Sequence, residues 1–189
     1  MSAPDRKALR REKLLDAAER VFGQQGLRGA TMEAIAAEAR VAKATAYAYF
    51  RDKEDAFRLV AERLAGRLAE AVETGLASSS DPRAAVIAAL QAKELIAWRA
   101  AHASVHAHDL LSAKTLFAAE AFTQADDRVR RALGARLGEL GVDAADATAR
   151  RLVSACAGLA GAARDEDALA ADIAHLAGAV LAGLAPERS

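Results

Sequence analysis

Apolar residues recur along this chain at steps of three and four, the period of helices that bury one face. The pattern is plainest near the carboxyl end. Leu152, Cys156, Leu159 and Ala163 are spaced by four, three and four, and Leu169, Ile173, Leu176, Val180 and Leu184 follow in the same rhythm. Both stretches carry small residues, Gly158, Gly161, Gly178 and Gly183, that let helix backbones approach. Upstream, Phe57, Val60, Leu64 and Leu68 form the spine of a helix expected from Asp52 to about Gly75. The run SSSDP breaks it, with Asp81 as a cap and Pro82 at a first helical position. The next helix carries Val86, Leu90, Ile96 and Trp98 on toward the histidines. A shorter helical segment then holds Leu110, Leu111, Leu116, Phe117 and Phe122, and DDRVRR begins another that ends near Gly141.

The stretch TMEAIAAEARVAKATAYAYF, Thr31 to Phe50, is different in kind: two short helices around a tight turn. Thr31 can cap the first by accepting from free N–H groups of its opening turn, and Glu33 sits where the helix dipole favours an acid. Ile35 and Ala39 share a face, Val41 follows the turn as a core plug, and Phe50 needs burial. Lys43, Thr45, Tyr47 and Tyr49 remain on the second helix. A cation, a hydroxyl and two phenols suit phosphate oxygens and base edges, as on the second helix of a helix-turn-helix. Asp52 caps a further helix whose first turn holds Lys53, where a lysine and free N–H groups together favour an anion.

The longer run REKLLDAAERVFGQQGLRGATMEAIAAEARVAKATAYAYFRDKEDAF resembles the amino-terminal domain of TetR-family transcriptional regulators. The shared features are the amphipathic first helix, the turn at Gly26 and Leu27, the Thr31 cap and the closing Tyr-x-Tyr-Phe-x-x-Lys. The resemblance implies an all-α fold: an amino-terminal three-helix helix-turn-helix DNA-binding domain over residues 1–53, and a carboxyl-terminal helical ligand-binding and dimerisation domain over residues 54–189. The DNA-contact set is then Thr31, Arg40, Lys43, Ala44, Thr45, Tyr47, Tyr49 and Lys53. Several positions depart from the family pattern. Arg40 stands where Gly is common, so a residue with a side chain must take or avoid the left-handed conformation at a cost of order 1 kcal/mol. Ala42 stands where a capping Ser is usual, a loss of typically about 1 kcal/mol. Ala46 and Ala48 replace bulkier residues, which shifts sequence reading onto Lys43, Thr45, Tyr47 and Arg40.

Composition sharpens this. The 189 residues are 53% hydrophobic, much of it alanine, and only 4% aromatic, which favours an almost wholly helical chain packed through small side chains. A net charge of zero hides an asymmetry: residues 1–53 hold eleven Lys and Arg against seven Asp and Glu (+4), leaving fifteen against nineteen (−4) for the rest. A basic head and acidic body orient a molecule head-first on DNA. Arg6, Lys7, Arg10, Arg11 and Lys13 open the first helix and offer further cations for backbone or minor groove. One cysteine allows no internal disulfide, and no signal peptide or apolar run of membrane-spanning length is evident, so a cytoplasmic protein is expected.

By the same resemblance the last two helices pair with their copies in a homodimer, through Leu152, Cys156, Leu159, Ile173, Leu176 and Val180. Two recognition helices related by a twofold axis read an inverted repeat. The middle helices are left for an effector, a mostly apolar small molecule: Trp98, Phe117 and Phe122 as walls, Arg99, His102 and His106 as polar groups. His102 and His106 at i and i+4, with Asp109, are also metal-ligand candidates, although no HExxH or paired-cysteine motif accompanies them. The other readings of these histidines are a solvated face and satisfied core residues. No cofactor is called for. An enzyme would need a nucleophile with its base, a metal set or a phosphate loop, and the chain offers none. The stronger rival is a helical ligand-binding protein that kept the scaffold and lost specific DNA binding, for which Arg40, Ala42, Ala46 and Ala48 argue.

Overall fold

The computed structural model describes residues 3–104, 106 and 117–184. Among these residues there are eight helices and no strand: α1 Ala3–Gly29, α2 Met32–Glu38, α3 Lys43–Tyr47, α4 Lys53–Ala77, α5 Pro82–His102, α6 Ala119–Glu139, α7 Ala145–Ala162 and α8 Glu166–Gly183. Their starts follow local chemistry. Thr31 Oγ1 accepts from Ala34 N at 3.1 Å. Asp52 accepts from Asp55 N at 2.7 Å, and the Asp55 carboxylate in turn accepts from Arg51 N at 3.0 Å. Asp81 accepts from the amides of Arg83 and Ala84, with Pro82 leading the helix. Asp165 accepts from Ala168 N at 2.8 Å to open α8.

One start and one end differ from expectation. The segment with DDRVRR does not begin its helix there; α6 already runs from Ala119. Its predecessor α5 stops at His102, so His106 lies in a turn beyond the helix. The spacing that put Arg99, His102 and His106 on one helical face therefore does not hold for His106. Leu110, Leu111, Leu116 and Asp109 lie outside the described residues. The start of α7 has no side-chain cap: Ala144 holds the preceding position in the left-handed region, φ 52°.

The chain divides into two compact units, Met1–Leu64 with Ala100–Phe122, and Ala65–Arg99 with Thr123–Ser189. In the first, Leu14, Leu15, Phe22, Ile35, Ala46, Phe50, Phe57 and Val60 are buried. The Phe22 and Phe57 rings meet edge-to-face at 5.0 Å, and Phe57 meets Phe117 likewise at 5.6 Å. Outside this apolar layer, Arg63 of α4 binds Glu19, Asp16 at 2.6 Å and Glu12 at 3.5 Å, three carboxylates on successive turns of α1. Lys53 meets the carbonyl of Arg28 at the other end of α1, so α1 and α4 run antiparallel. The basic cluster from Arg6 to Lys13 sits at the opposite end of this helix pair from Lys53, exposed to solvent.

In the second unit Val86, Leu90, Leu133, Leu137, Leu152, Cys156, Leu169 and Ile173 form the buried set. Gly75 is the closest approach, since a Cβ there would lie 2.4 Å from Ala89 Cα. Lys93 and Glu94 are buried beside one another as an ion pair at 2.7 Å, an arrangement in which each charge depends on the other. Burial, then the nearby Glu94 charge, pushes the Cys156 thiol up to about 11.

Candidate nucleic-acid interface

The first unit turns α2 and α3 outward around a tight link. Arg40 occupies it with φ 53°, the left-handed conformation that a glycine would adopt without strain. Val41 N reaches back to Ala36 O at 3.0 Å, which closes the turn. No side chain caps α3 at Ala42. Its five residues are anchored instead from below: Ala46 is fully buried and Phe50 is 1% exposed. This leaves Lys43, Ala44, Tyr47 and Ala48 on the open side, with Thr45 and Tyr49 half-buried. Tyr47 is 46% exposed, which leaves its phenol open to solvent.

The charges around α3 are organised. Lys43 Nζ pairs with the Glu33 carboxylate of α2 and lies 5.7 Å from the Tyr47 ring centre. The hydrogen bond between them lowers the Glu33 carboxyl below its usual range and raises the Lys43 ammonium above its own, so both stay charged. Arg20 binds Glu38 at 2.6 Å across α1 and α2. Lys53, half-buried at the start of α4, donates to Arg28 O at 3.2 Å. At Asp55, burial pushes the carboxyl up, but the Arg51 amide and the Arg58 and Arg51 guanidinium groups outweigh it and hold the group ionised. The turn after α3 is therefore fixed by charge as well as by Phe50. Thr31, Arg40, Lys43, Ala44, Thr45, Tyr47, Tyr49 and Lys53 all belong to this one unit. Glu33 was read from sequence only as a dipole partner, because its link to Lys43 joins two helices ten residues apart.

Residues 14–60 match the sequence profile of bacterial regulatory proteins of the tetR family. This part of the chain belongs to the TetR family. It is 34% identical over 125 residues to the HTH-type transcriptional regulator BetI of Rhizobium meliloti, an alignment covering 66% of this chain and 57% of that protein. The chain thus spans somewhat over half the length of this curated relative. The fold of a solved TetR transcriptional regulator from Streptomyces coelicolor is matched at 27% identity and a TM-score of 0.61, over 94% of this chain and 99% of the other. A solved protein described as a TetR-family transcriptional regulator, from Mesorhizobium loti, matches at 21% identity and a TM-score of 0.76, over 94% and 98%.

The residues expected at an effector pocket are divided between the two units. Trp98 and Arg99 belong to the second unit, where the Trp98 indole N–H donates to Ala163 O at 3.4 Å and the Arg99 guanidinium binds Glu166. That ion pair holds the Glu166 carboxyl below its usual range. His102, His106, Phe117 and Phe122 belong to the first unit. There His106 lines a cavity of about 60 Å³ with Phe22, Phe57, Ala100, Ala103, Ser104, Gly23 and Glu19. A water occupies roughly 30 Å³, so this space admits very little. A larger groove of about 370 Å³ runs beside it along Asp16, Glu19, Arg20, Gly23, Gln24, Ala103 and Ser104. Among the described residues, no three His, Cys, Asp or Glu side chains are grouped to hold a metal ion.

The interface residues need a correction. Leu152, Cys156 and Ile173 are 2%, 0% and 0% exposed within the single chain, so they pack its own core and are not open to a partner. Leu159, Leu176 and Val180 are half-buried. What α7 and α8 leave open combines small residues, Ala155, Gly158 and Ala162 on one helix and Ala171, Ala179 and Ala182 on the other, with the polar Arg151 and His175.

Proposed function

We propose that this protein is a ligand-responsive regulator of transcription that binds a roughly palindromic operator as a homodimer, represses from it, and is released by a small-molecule effector. Residues 1–53 are the DNA-binding part and residues 54–189 the effector-binding and dimerisation part. The observation that carries the reading is α3: five residues anchored by Ala46 and Phe50, with Lys43 and Tyr47 exposed to solvent on its outer side. Base-edge reading falls to Lys43, Thr45 and Tyr47, and Tyr49, Ala44, Thr31, Arg40 and Lys53 complete the contact set with backbone phosphates.

The dimer is supported by the open face of α7 and α8. Added Cβ atoms at Gly158, Gly161, Gly178 or Gly183 would meet nothing within 4 Å. Close backbone approach by another subunit gives these glycines a use, with Leu159, Leu176 and Val180 at the margins of the contact. The effector is a mostly apolar small molecule of the body, for which Trp98 fluorescence is the reporter; Arg99 would have to exchange Glu166 for an anionic group on it. Selection from a pool of random duplexes tests the whole reading, and an inverted repeat should emerge. If the protein enriches no sequence yet melts at a higher temperature with apolar compounds, the scaffold is a ligand carrier. The uncapped start of α3 is the observation that favours that second reading.

A further inference from the structure

Resting on the DNA-binding reading, we propose that Glu33 is a specificity determinant of the head: it holds Lys43 off non-cognate DNA and reads a cytosine in each half-site of the operator. A carboxylate on a surface meant for phosphates needs a reason. Glu33 is not on the periphery; it is ion-paired to the first residue of α3, and both side chains are open to solvent, 58% and 57% exposed. Lys43 in turn lies against Tyr47. The three groups form one exposed row across α2 and α3, on the side that would face a duplex.

The consequences follow from charge. An exposed ion pair is weakly held, so a guanine edge presented by the cognate site can take Lys43 away from it. Glu33 then faces DNA without its cation. Against an arbitrary sequence nothing compensates it, and nearby phosphates repel it. Against a cytosine, the N4 amine presents a donor flanked by guanine O6 on one side and by the apolar C5–H on the other, so a carboxylate can accept from it on the open side. Adenine offers its N6 donor between two acceptors, its own N7 and thymine O4, which repel a carboxylate. Unfavourable on most sequences and satisfied on one, the group adds discrimination instead of affinity. Its other use, as an acid near the start of α2, would be shared by all DNA sequences and by free protein alike.

The test compares wild type, Glu33→Gln and Lys43→Ala by fluorescence anisotropy. The duplexes are the wild-type-selected operator, the same operator with each candidate C·G pair changed to T·A, and a random duplex of equal length, in a salt series. Glu33→Gln should bind random DNA roughly tenfold more tightly at a fixed salt concentration while its operator affinity stays level or falls. It should also lose its penalty for one C·G to T·A change. Lys43→Ala should weaken binding to the operator far more than to random DNA, on which Glu33 already holds the lysine back. Melting curves confirm that the variants stay folded, as expected at exposed positions. An unchanged operator-to-random ratio in Glu33→Gln, or an equal change on both DNAs, overturns the inference and leaves the DNA-binding reading standing. A wild type that selects no sequence overturns both.

Discussion

The open face of α7 and α8 makes a prediction whose size can be worked out. Gly158 is exposed in the single chain, and an added side chain there meets nothing within 4 Å. Gly158→Glu should therefore leave the monomer folded and even favour its helix, since replacing a helical glycine gains about 0.5–1 kcal/mol. Within a twofold interface the same substitution occurs twice and buries two carboxylates on a face made mostly of small residues. At about 3 kcal/mol for each uncompensated charge, the dimer loses about 6 kcal/mol, roughly 10⁴-fold in dissociation constant. A dimer of nanomolar affinity would then fall apart at micromolar concentration. Ala179→Glu on α8 should do the same, whereas Ile173→Glu, at a position 0% exposed, should unfold the chain instead. Light scattering coupled to size exclusion separates these outcomes, with melting curves as the check on folding. A Gly158→Glu, Ala179→Glu double variant that remains dimeric at low micromolar concentration would place the interface elsewhere.

Other consequences are local. Arg40→Gly should raise the melting temperature slightly, because relief of about 1–2 kcal/mol of left-handed strain exceeds the 0.4–1 kcal/mol lost to a freer unfolded chain; it should also weaken operator binding several-fold, and unchanged binding would take Arg40 out of the contact set. Gly75→Ala should destabilise by about 1–3 kcal/mol, since its Cβ would fall 2.4 Å from Ala89 Cα. Gly66→Ala in the same helix has open space and should stabilise, so equal effects in thermal melts would refute the close packing. Because the folded thiol of Cys156 titrates near 11 and a free one near 9, its contribution to stability is present below pH 9 and declines as pH rises from 9 to 11. Cys156→Ala should show a shallower fall of stability over that window, and a native protein that reacts with a thiol reagent at pH 7.5 as fast as the unfolded chain would contradict the burial.

The features legible in the sequence were those settled within a few residues. Thr31, Asp52 and Asp81 cap where a hydroxyl or carboxylate precedes a helix, Ala42 leaves its helix uncapped, and Arg40 bears the left-handed turn. The end of α5 was not legible, because AHASVHAHDL contains neither glycine nor proline to mark it. The stripe of Leu152, Cys156 and Ile173 was legible as buried but not as buried against what; a core and an interface share the same period. The open face beside it is mostly alanine and glycine, which carry almost no hydrophobic signal. The Glu33–Lys43 pair escaped for a further reason: the contact exists only once two helices are folded around a turn.

The claim that α3 reads sequence is tested most directly by comparing Tyr47→Ala with Lys53→Ala on the selected operator and on random DNA across a salt series. Lys53→Ala removes a cation at the start of α4, so it should weaken both DNAs alike and lower the salt slope by about 0.9 per subunit. Tyr47→Ala should cost about 1–3 kcal/mol on the operator and much less on random DNA. Equal losses on both DNAs for Tyr47→Ala would contradict the account.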